Sequence, residues 1–200
     1  MSTQRTGLNP EAKHEEDYSK VTLGFWVYLM TDCVLFASLF ATYLVLRNNT
    51  NGGPGASELF SLPYVLVETL LLLTSSFVSG LALLAMHRNN RKQVLWLLGI
   101  TALLGMTFLA MELVEFRHLV TEGHSWTQSA FLSSYFTLVG THGLHIAAGL
   151  IWLVILAVAI YFKGTTMHNV RRLSLFSMFW HFLDIVWIFI FSVVYMLGAL

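Results

Sequence analysis

The sequence is poor in the charged and thiol side chains on which many soluble enzymes depend. Only 11% of its 200 residues are charged and the formal net charge is zero, so bulk charge gives no reason to expect nucleic acid as a partner. Cys33 is the single cysteine, which excludes an internal disulfide and a metal site built on paired thiolates. With 56% hydrophobic residues, the composition is typical of a membrane protein rather than a soluble domain.

The hydrophobic residues fall into five long runs, which predict an all-α bundle of five transmembrane helices. Each run exceeds the roughly 20 residues that cross a bilayer as a helix. We expect a polar tail over residues 1–20 and a single membrane domain over residues 21–200. The predicted helices are 21–47, 62–88, 93–119, 130–162 and 173–198.

The basic residues are distributed unevenly between the two sides of this predicted bundle. Nine of the eleven Lys and Arg residues lie in the N-terminal tail, the second connection and the fourth connection, leaving Arg47 and Arg117 for the other side. Because short connections rich in Lys and Arg stay in the cytoplasm, the N-terminus is predicted to be cytoplasmic. The C-terminus is then periplasmic or otherwise outside the cell.

Five acids and three histidines interrupt the hydrophobic runs, and no Lys or Arg lies deep in a span with them. A rise of about 1.5 Å per residue predicts two levels for them. One level is near the midplane of the membrane and the other is nearer its outer face. The midplane set is Asp32, His142, His145, His181 and Asp184, and the outer set is Glu68, Glu112 and Glu115.

An acid at such a depth must be protonated, paired with a histidine, or hydrated in a cavity. Asp32 and Asp184 are expected to hydrogen-bond with the histidines, which are the basic groups at a similar depth. Glu112 and Glu115 flank a helix end, so we expect them to reach the membrane interface. Glu68 lies farther inside its helix and is expected to be buried.

The last hydrophobic run contains WHFLDIVW, from Trp180 to Trp187. His181 and Asp184 are three residues apart and therefore share a helical face. An ionisable group at mid-membrane costs at least about 2.5–3.5 kcal/mol, so both are expected to face protein or water rather than lipid. The two tryptophans are expected to anchor the packing of this helix against the earlier spans.

The HGLH segment, from His142 to His145, allows two interpretations. Histidines three apart on a helix can share a metal ion, with a third ligand from His181 or Asp32. Alternatively, the rings hydrogen-bond across helices or take part in proton movement. Because the ligand set is incomplete, we favour the second interpretation and expect neither metal nor cofactor on this chain.

Five segments together resemble subunit III of the haem–copper respiratory oxidases. HGLH on one span and WHF-x-D-x-V-W on the last are specific in combination. Five spans with the loop GGPGASELFSLP are most similar to the form found in the cytochrome o ubiquinol oxidase of bacteria. The segments are GFWVYLMTDCVLF, LPYVLVETLLLLTSS, MELVEF, GTHGLHIAAG and WHFLDIVWIFIFSVVYMLG.

The resemblance implies a non-catalytic subunit of a proton-pumping ubiquinol oxidase in the bacterial inner membrane. In this family the haems and copper reside on other subunits, and subunit III has neither catalytic residues nor a redox centre. Its helices form a V-shaped cleft that holds phospholipid, and they pack against catalytic subunit I. The expected roles are assembly, lipid binding and proton uptake by the core. The family usually has Glu where this sequence has Asp32, so the resemblance does not establish that this shorter side chain reaches the same partner.

Two alternatives remain at this stage. Some bacterial cytochrome c oxidases also carry a short subunit III. From another class, a small proton-coupled transporter could use the midplane acids and histidines as a relay. A transporter of that kind is typically built from internal repeats and a helix broken by Gly or Pro, and we find neither in this sequence.

Overall fold

The computed structural model describes residues 10–52 and 62–198, and the regular elements within them are all helical. Five helices are long and apolar enough to cross a membrane, which confirms the predicted all-α fold with five spans. A π-helical segment, Phe191–Met196, directly continues the last of them. The helices are α1 (Pro10–Leu46), α2 (Leu62–His87), α3 (Arg91–Thr121), α4 (Ala130–Lys163) and α5 (Met167–Ile190).

Two helices begin well before the hydrophobic runs that predict them. α1 begins at Pro10, eleven residues early, and α5 begins at Met167, six residues early. A hydrophobic run marks the segment that lipid can cover, whereas backbone hydrogen bonds continue the helix into water. Proline suits the first position because its missing N–H would have no partner within the helix. Residues 1–9 of the predicted tail and 53–61 of the first connection lie outside the described residues.

The turns between α2 and α3 and between α4 and α5 meet at one end of the bundle. Each turn contains a residue with positive φ, Asn89 at 55° and Gly164 at 71°, a conformation that asparagine and glycine adopt most readily. The Thr165 hydroxyl donates to the side-chain oxygen of Asn89 and so joins the two turns. Asn90 and Thr166 then cap the N-termini of α3 and α5 with their side-chain oxygens.

Helices α2 to α5 form a four-helix arrangement in which α2 packs on α3 and α5, and α4 packs on the same two helices. The core between them is rich in aromatic rings. α1 packs outside this group, against α4 and α5. Its buried residues form a narrow stripe of Leu29, Asp32, Phe36 and Tyr43, a spacing close to the 3.5-residue repeat of a two-helix seam. α1 is therefore a peripheral helix whose buried face includes one acid.

Candidate functional site

Trp180 connects α5 to three other helices. A Cβ atom at Gly149 would lie 2.9 Å from Trp180 Cζ3, and one at Gly105 would lie 3.0 Å from Trp180 Cζ2. The ring therefore occupies a slot that α3 and α4 leave open by having glycine at both positions. The indole N–H donates to Ser75 Oγ of α2 at 3.2 Å, and Ser75 donates onward to the carbonyl of Thr101 at 3.3 Å.

Trp187 forms a second anchor two helical turns further along α5. Its indole N–H donates to Thr69 Oγ1 of α2 at 3.0 Å. Its ring stacks on His142 with centroids 5.3 Å apart and meets the edge of Phe108 at 4.7 Å. All four side chains are buried. The tryptophans of WHFLDIVW thus hold α5 against α2 through hydrogen bonds as well as packing.

Asp32 and His145 are brought together between α1 and α4. Asp32 Oδ2 lies 3.7 Å from His145 Nε2, close enough for an ion pair but longer than a normal hydrogen bond. His145 Nδ1 lies 2.7 Å from the carbonyl oxygen of Thr141. Because a carbonyl accepts only, Nδ1 carries the proton there, and Nε2 is the atom that faces the acid. The pair is a polar contact at the α1–α4 seam.

The other histidine of HGLH has different surroundings. His142 is fully buried, and neither of its ring nitrogens has a hydrogen-bond partner among residues 10–52 and 62–198. Phe36 of α1 lies against both imidazole rings, with centroids 6.3 Å from His142 and 5.3 Å from His145. Among the described residues, no three His, Cys, Asp or Glu side chains converge as metal ligands. The structure thus gives the metal interpretation of HGLH no third ligand.

His181 and Asp184 lie in different environments, although they are one helical turn apart. Asp184 is buried near Ser76 of α2, and its Oδ1 atom lacks a hydrogen-bond partner. His181 is exposed on the outside of the chain, where its Nδ1 atom lies 2.6 Å from the carbonyl of Ser177. The chain by itself therefore does not bury His181, and the expectation that this residue faces protein or water stays a prediction. Positions three apart differ by about 60° around a helix, which is enough to separate the core from the surface here.

The three glutamates lie near the end of the bundle that holds the C-terminus. Glu68 is fully buried, as expected, but Glu112 is only 2% exposed. The expectation that Glu112 reaches the membrane interface is wrong, because its carboxyl packs against Gly143 of α4. A Cβ atom at that glycine would lie 2.7 Å from Glu112 Oε1. Glu115 is half-buried, and the three carboxyls interact electrostatically with one another.

Two tyrosines that were not predicted from the sequence lie beside the three glutamates, and together these residues form the glutamate cluster. The Tyr195 hydroxyl donates to Glu115 Oε2 at 3.5 Å and lies 3.1 Å from the Tyr135 hydroxyl. Tyr195 belongs to the π-helical segment Phe191–Met196. A tyrosine inside an apolar run usually has a partner for its hydroxyl, so both were detectable in principle. Thr69, which accepts a hydrogen bond from Trp187, was not predicted from the sequence. Nor was Gly149, against which the Trp180 ring packs.

The family described as cytochrome c oxidase subunit III matches residues 11–199. The chain belongs to this family. The match includes all the acids, histidines and tryptophans described above, so the resemblance of the five segments to oxidase subunit III is confirmed.

Individual members of the subunit III family are similar over most of their length. The chain is 53% identical over 195 residues to the cytochrome bo(3) ubiquinol oxidase subunit 3 of Pseudomonas aeruginosa, covering 95% of this chain and 93% of that protein. It is 54% identical over 178 residues to the subunit of the same name from Pseudomonas putida, covering 89% and 86%. It is 50% identical over 176 residues to the cytochrome c oxidase subunit 3 of Bacillus sp. strain PS3, covering 88% and 85%.

Proposed function

We propose that the chain is subunit III of a haem–copper ubiquinol oxidase, a complex that oxidises ubiquinol and reduces oxygen to water. The observation that carries this proposal is the 53% identity over 195 residues to the ubiquinol oxidase subunit 3 of Pseudomonas aeruginosa. The alignment covers nearly all of both chains, so the relationship extends to every span. The relative from Pseudomonas putida supports the same electron donor.

In this proposal the subunit supports assembly, lipid binding and proton uptake, while the haems and copper lie on partner subunits. The buried polar groups favour a structural role, because several of them link one helix to another. Trp180 bonds to Ser75, and Trp187 bonds to Thr69. These contacts stabilise the bundle itself and leave its outer surface for partners.

The surface between α1 and α5 is the part of the chain that we expect partners to cover. It forms a groove of about 320 Å³ with apolar walls that include Trp26, Met30 and Phe182, and His181 borders it. Phospholipid acyl chains fit such walls, but an exposed imidazole at this depth is costly in lipid alone. We therefore place catalytic subunit I or another subunit of the complex over His181, with lipid in the rest of the groove.

The family and the five apolar helices support a membrane location for the complex. We propose the bacterial inner membrane, with the N-terminus in the cytoplasm. The support for this orientation is that nine of the eleven Lys and Arg residues lie on the N-terminal side.

A cytochrome c oxidase is the second candidate for the parent complex. Its support is the 50% identity over 176 residues to the cytochrome c oxidase subunit 3 of Bacillus sp. strain PS3. The two candidates differ in the electron donor. The role proposed for this chain, in assembly, lipid binding and proton uptake, is the same in both.

Purification of the complex through a tag on this chain tests the proposal. The membrane should be solubilised gently, and the co-purifying proteins identified by mass spectrometry and haem absorbance. Oxygen consumption should then be measured with ubiquinol and with reduced cytochrome c. We expect a haem-bearing partner and oxygen consumption with ubiquinol. Activity with cytochrome c alone would establish the second candidate, and the absence of a haem-bearing partner would contradict both.

A further inference from the structure

The glutamate cluster at the C-terminal end of the bundle has more polar atoms than the chain satisfies. Glu68 comes from α2, and Glu112 and Glu115 come from α3. Tyr195 satisfies one oxygen of Glu115. Both carboxyl oxygens of Glu68 and the Oε2 atom of Glu112 have no hydrogen-bond partner among the described residues, and each is shielded from solvent.

His142 provides a second and independent set of buried polar atoms. It is fully buried on α4, and neither of its ring nitrogens has a hydrogen-bond partner in the part of the chain that the structure describes. The next residue, Gly143, is the position against which the Glu112 carboxyl packs. The imidazole also stacks on Trp187, whose N–H bonds to Thr69 beside Glu68. The unsatisfied nitrogens thus belong to the same region as the unsatisfied oxygens.

The burial of these atoms restricts what could satisfy them. A partner subunit or a lipid headgroup cannot reach atoms that this chain already covers. An apolar molecule would leave the hydrogen bonds unmade. A metal ion needs converging ligands, and the described residues contain no such group of three. Water remains, because it is small, donates and accepts, and typically makes about three hydrogen bonds to buried polar groups.

We propose that water molecules occupy this cluster, bridging Glu68, Glu112 and His142, and that the carboxyls share exchangeable protons through them. A carboxyl that carries a proton needs an acceptor for its O–H and donors for its other oxygen. Water supplies both at once, whereas Arg117, the basic residue nearest to these glutamates along α3, is exposed. The tyrosine pair, Tyr135 and Tyr195, then closes the cluster on the side of Glu115. This site is separate from the electron donor and from the partner surface proposed above.

A density map of the intact oxidase, at a resolution that shows ordered water, tests the site directly. We expect at least one water within about 2.7–3.2 Å of a Glu68 oxygen and of a second polar atom from Glu112 or His142. A map that shows these side chains bonded directly to one another, or an empty space between them, would overturn the proposal. The unmodified complex is sufficient for this measurement.

Infrared spectroscopy of the same complex tests the exchangeable protons. We expect a C=O stretching band of protonated carboxyl groups that weakens in Glu68→Gln or Glu112→Gln and shifts within minutes of transfer to D2O. The matched control is Glu122→Gln, which alters an acid at the exposed end of α3 and should leave the band unchanged. A band that resists D2O for hours, or that neither substitution changes, would refute proton sharing through water. If either variant fails to assemble, the exchange of the unmodified complex still decides the question.

Discussion

At the scale of single residues, the hydrogen bond between Trp187 and Thr69 allows a direct test of what anchors α5. The indole N–H is 3.0 Å from Thr69 Oγ1, and both groups are buried. We expect a double-mutant cycle of Trp187→Phe and Thr69→Val to give a coupling energy of about 0.6 kcal/mol, and at most about 1.7 kcal/mol, as for other hydrogen bonds between membrane helices. Reversible unfolding of the chain in micelles measures it.

The control for this cycle is Trp96→Phe. Trp96 is 75% exposed, so its replacement should not couple to Thr69→Val. A coupling of zero for Trp187 would show that the ring contributes packing alone. In that case its contacts with His142 and Phe108 would carry the whole effect.

Asp32 tests whether the contact between α1 and α4 is structural. Asp32→Ala removes the group opposite His145 Nε2 and leaves that nitrogen unpaired, which costs about 1–3 kcal/mol. We expect it to weaken retention of the subunit in the complex more than it lowers oxygen consumption per haem. Asp32→Asn keeps the hydrogen-bonding capacity and should be milder. If Asp32→Asn abolishes turnover in a fully assembled complex, the acid takes part in proton movement instead.

The sequence predicted part of this polar interior and not the rest. Acids without Lys or Arg at their depth indicated a carboxyl–imidazole contact, and Asp32 with His145 forms one. The position of His181 could not be obtained in this way, because periodicity gives angles within a helix but not the rotation of that helix against its neighbours. Glu112 was misjudged for a related reason. Nothing in its own helix shows that Gly143 of α4 leaves room for a carboxyl.

At the scale of helices, two of the close contacts lie where a glycine meets an aromatic ring. Gly149→Ala would place a Cβ atom 2.9 Å from Trp180, so we expect a loss of about 1–3 kcal/mol in the free energy of unfolding, as is typical for overpacking. The matched control is Gly99→Ala, which is also helical but has no neighbouring atom within 4 Å. Unfolding in micelles should separate the two variants.

A second substitution identifies the cause of the Gly149 effect. In a Trp180→Leu background the ring atoms near Gly149 are gone, so Gly149→Ala should cost much less than in the natural sequence. An unchanged cost in that background would place the clash elsewhere, with Phe179 as the next candidate because its Cε1 atom lies 3.1 Å from the same Cβ position.

The number of helices and their approximate positions could be predicted from the sequence. The backbone N–H and C=O groups of a long apolar run can form their hydrogen bonds within the run only if it is a helix. The π-helical segment Phe191–Met196 could not be predicted, since its residues continue the apolar run of α5 without interruption. A π-helical turn changes the direction in which later side chains point. Tyr195 therefore could not be assigned to the glutamate cluster from α-helical spacing.

At the scale of the whole molecule, the orientation in the membrane is open to a simple measurement. We expect a reporter fused after Leu200 to register the outer compartment and one inserted into the α4–α5 turn to register the cytoplasm, because Lys163, Arg171 and Arg172 lie beside that turn. An activity-based pair of reporters, one active only on each side, provides the internal control. The opposite pattern would reverse the sides assigned to every polar group.

The peripheral packing of α1 also has a consequence for how the chain is made. α1 leaves the ribosome before α4 and α5, yet it packs against both, and His145 follows Asp32 by more than a hundred residues. At about 5–20 residues per second, Asp32 is synthesised on the order of ten seconds before its partner. We therefore expect α1 to be inserted before α4 and to dock only after α4 and α5 have followed it. Cysteine cross-links between α1 and α4, scored on stalled chains of increasing length, should appear only in chains long enough to expose α5 as well. Cross-links in chains that end soon after α4 would contradict late docking.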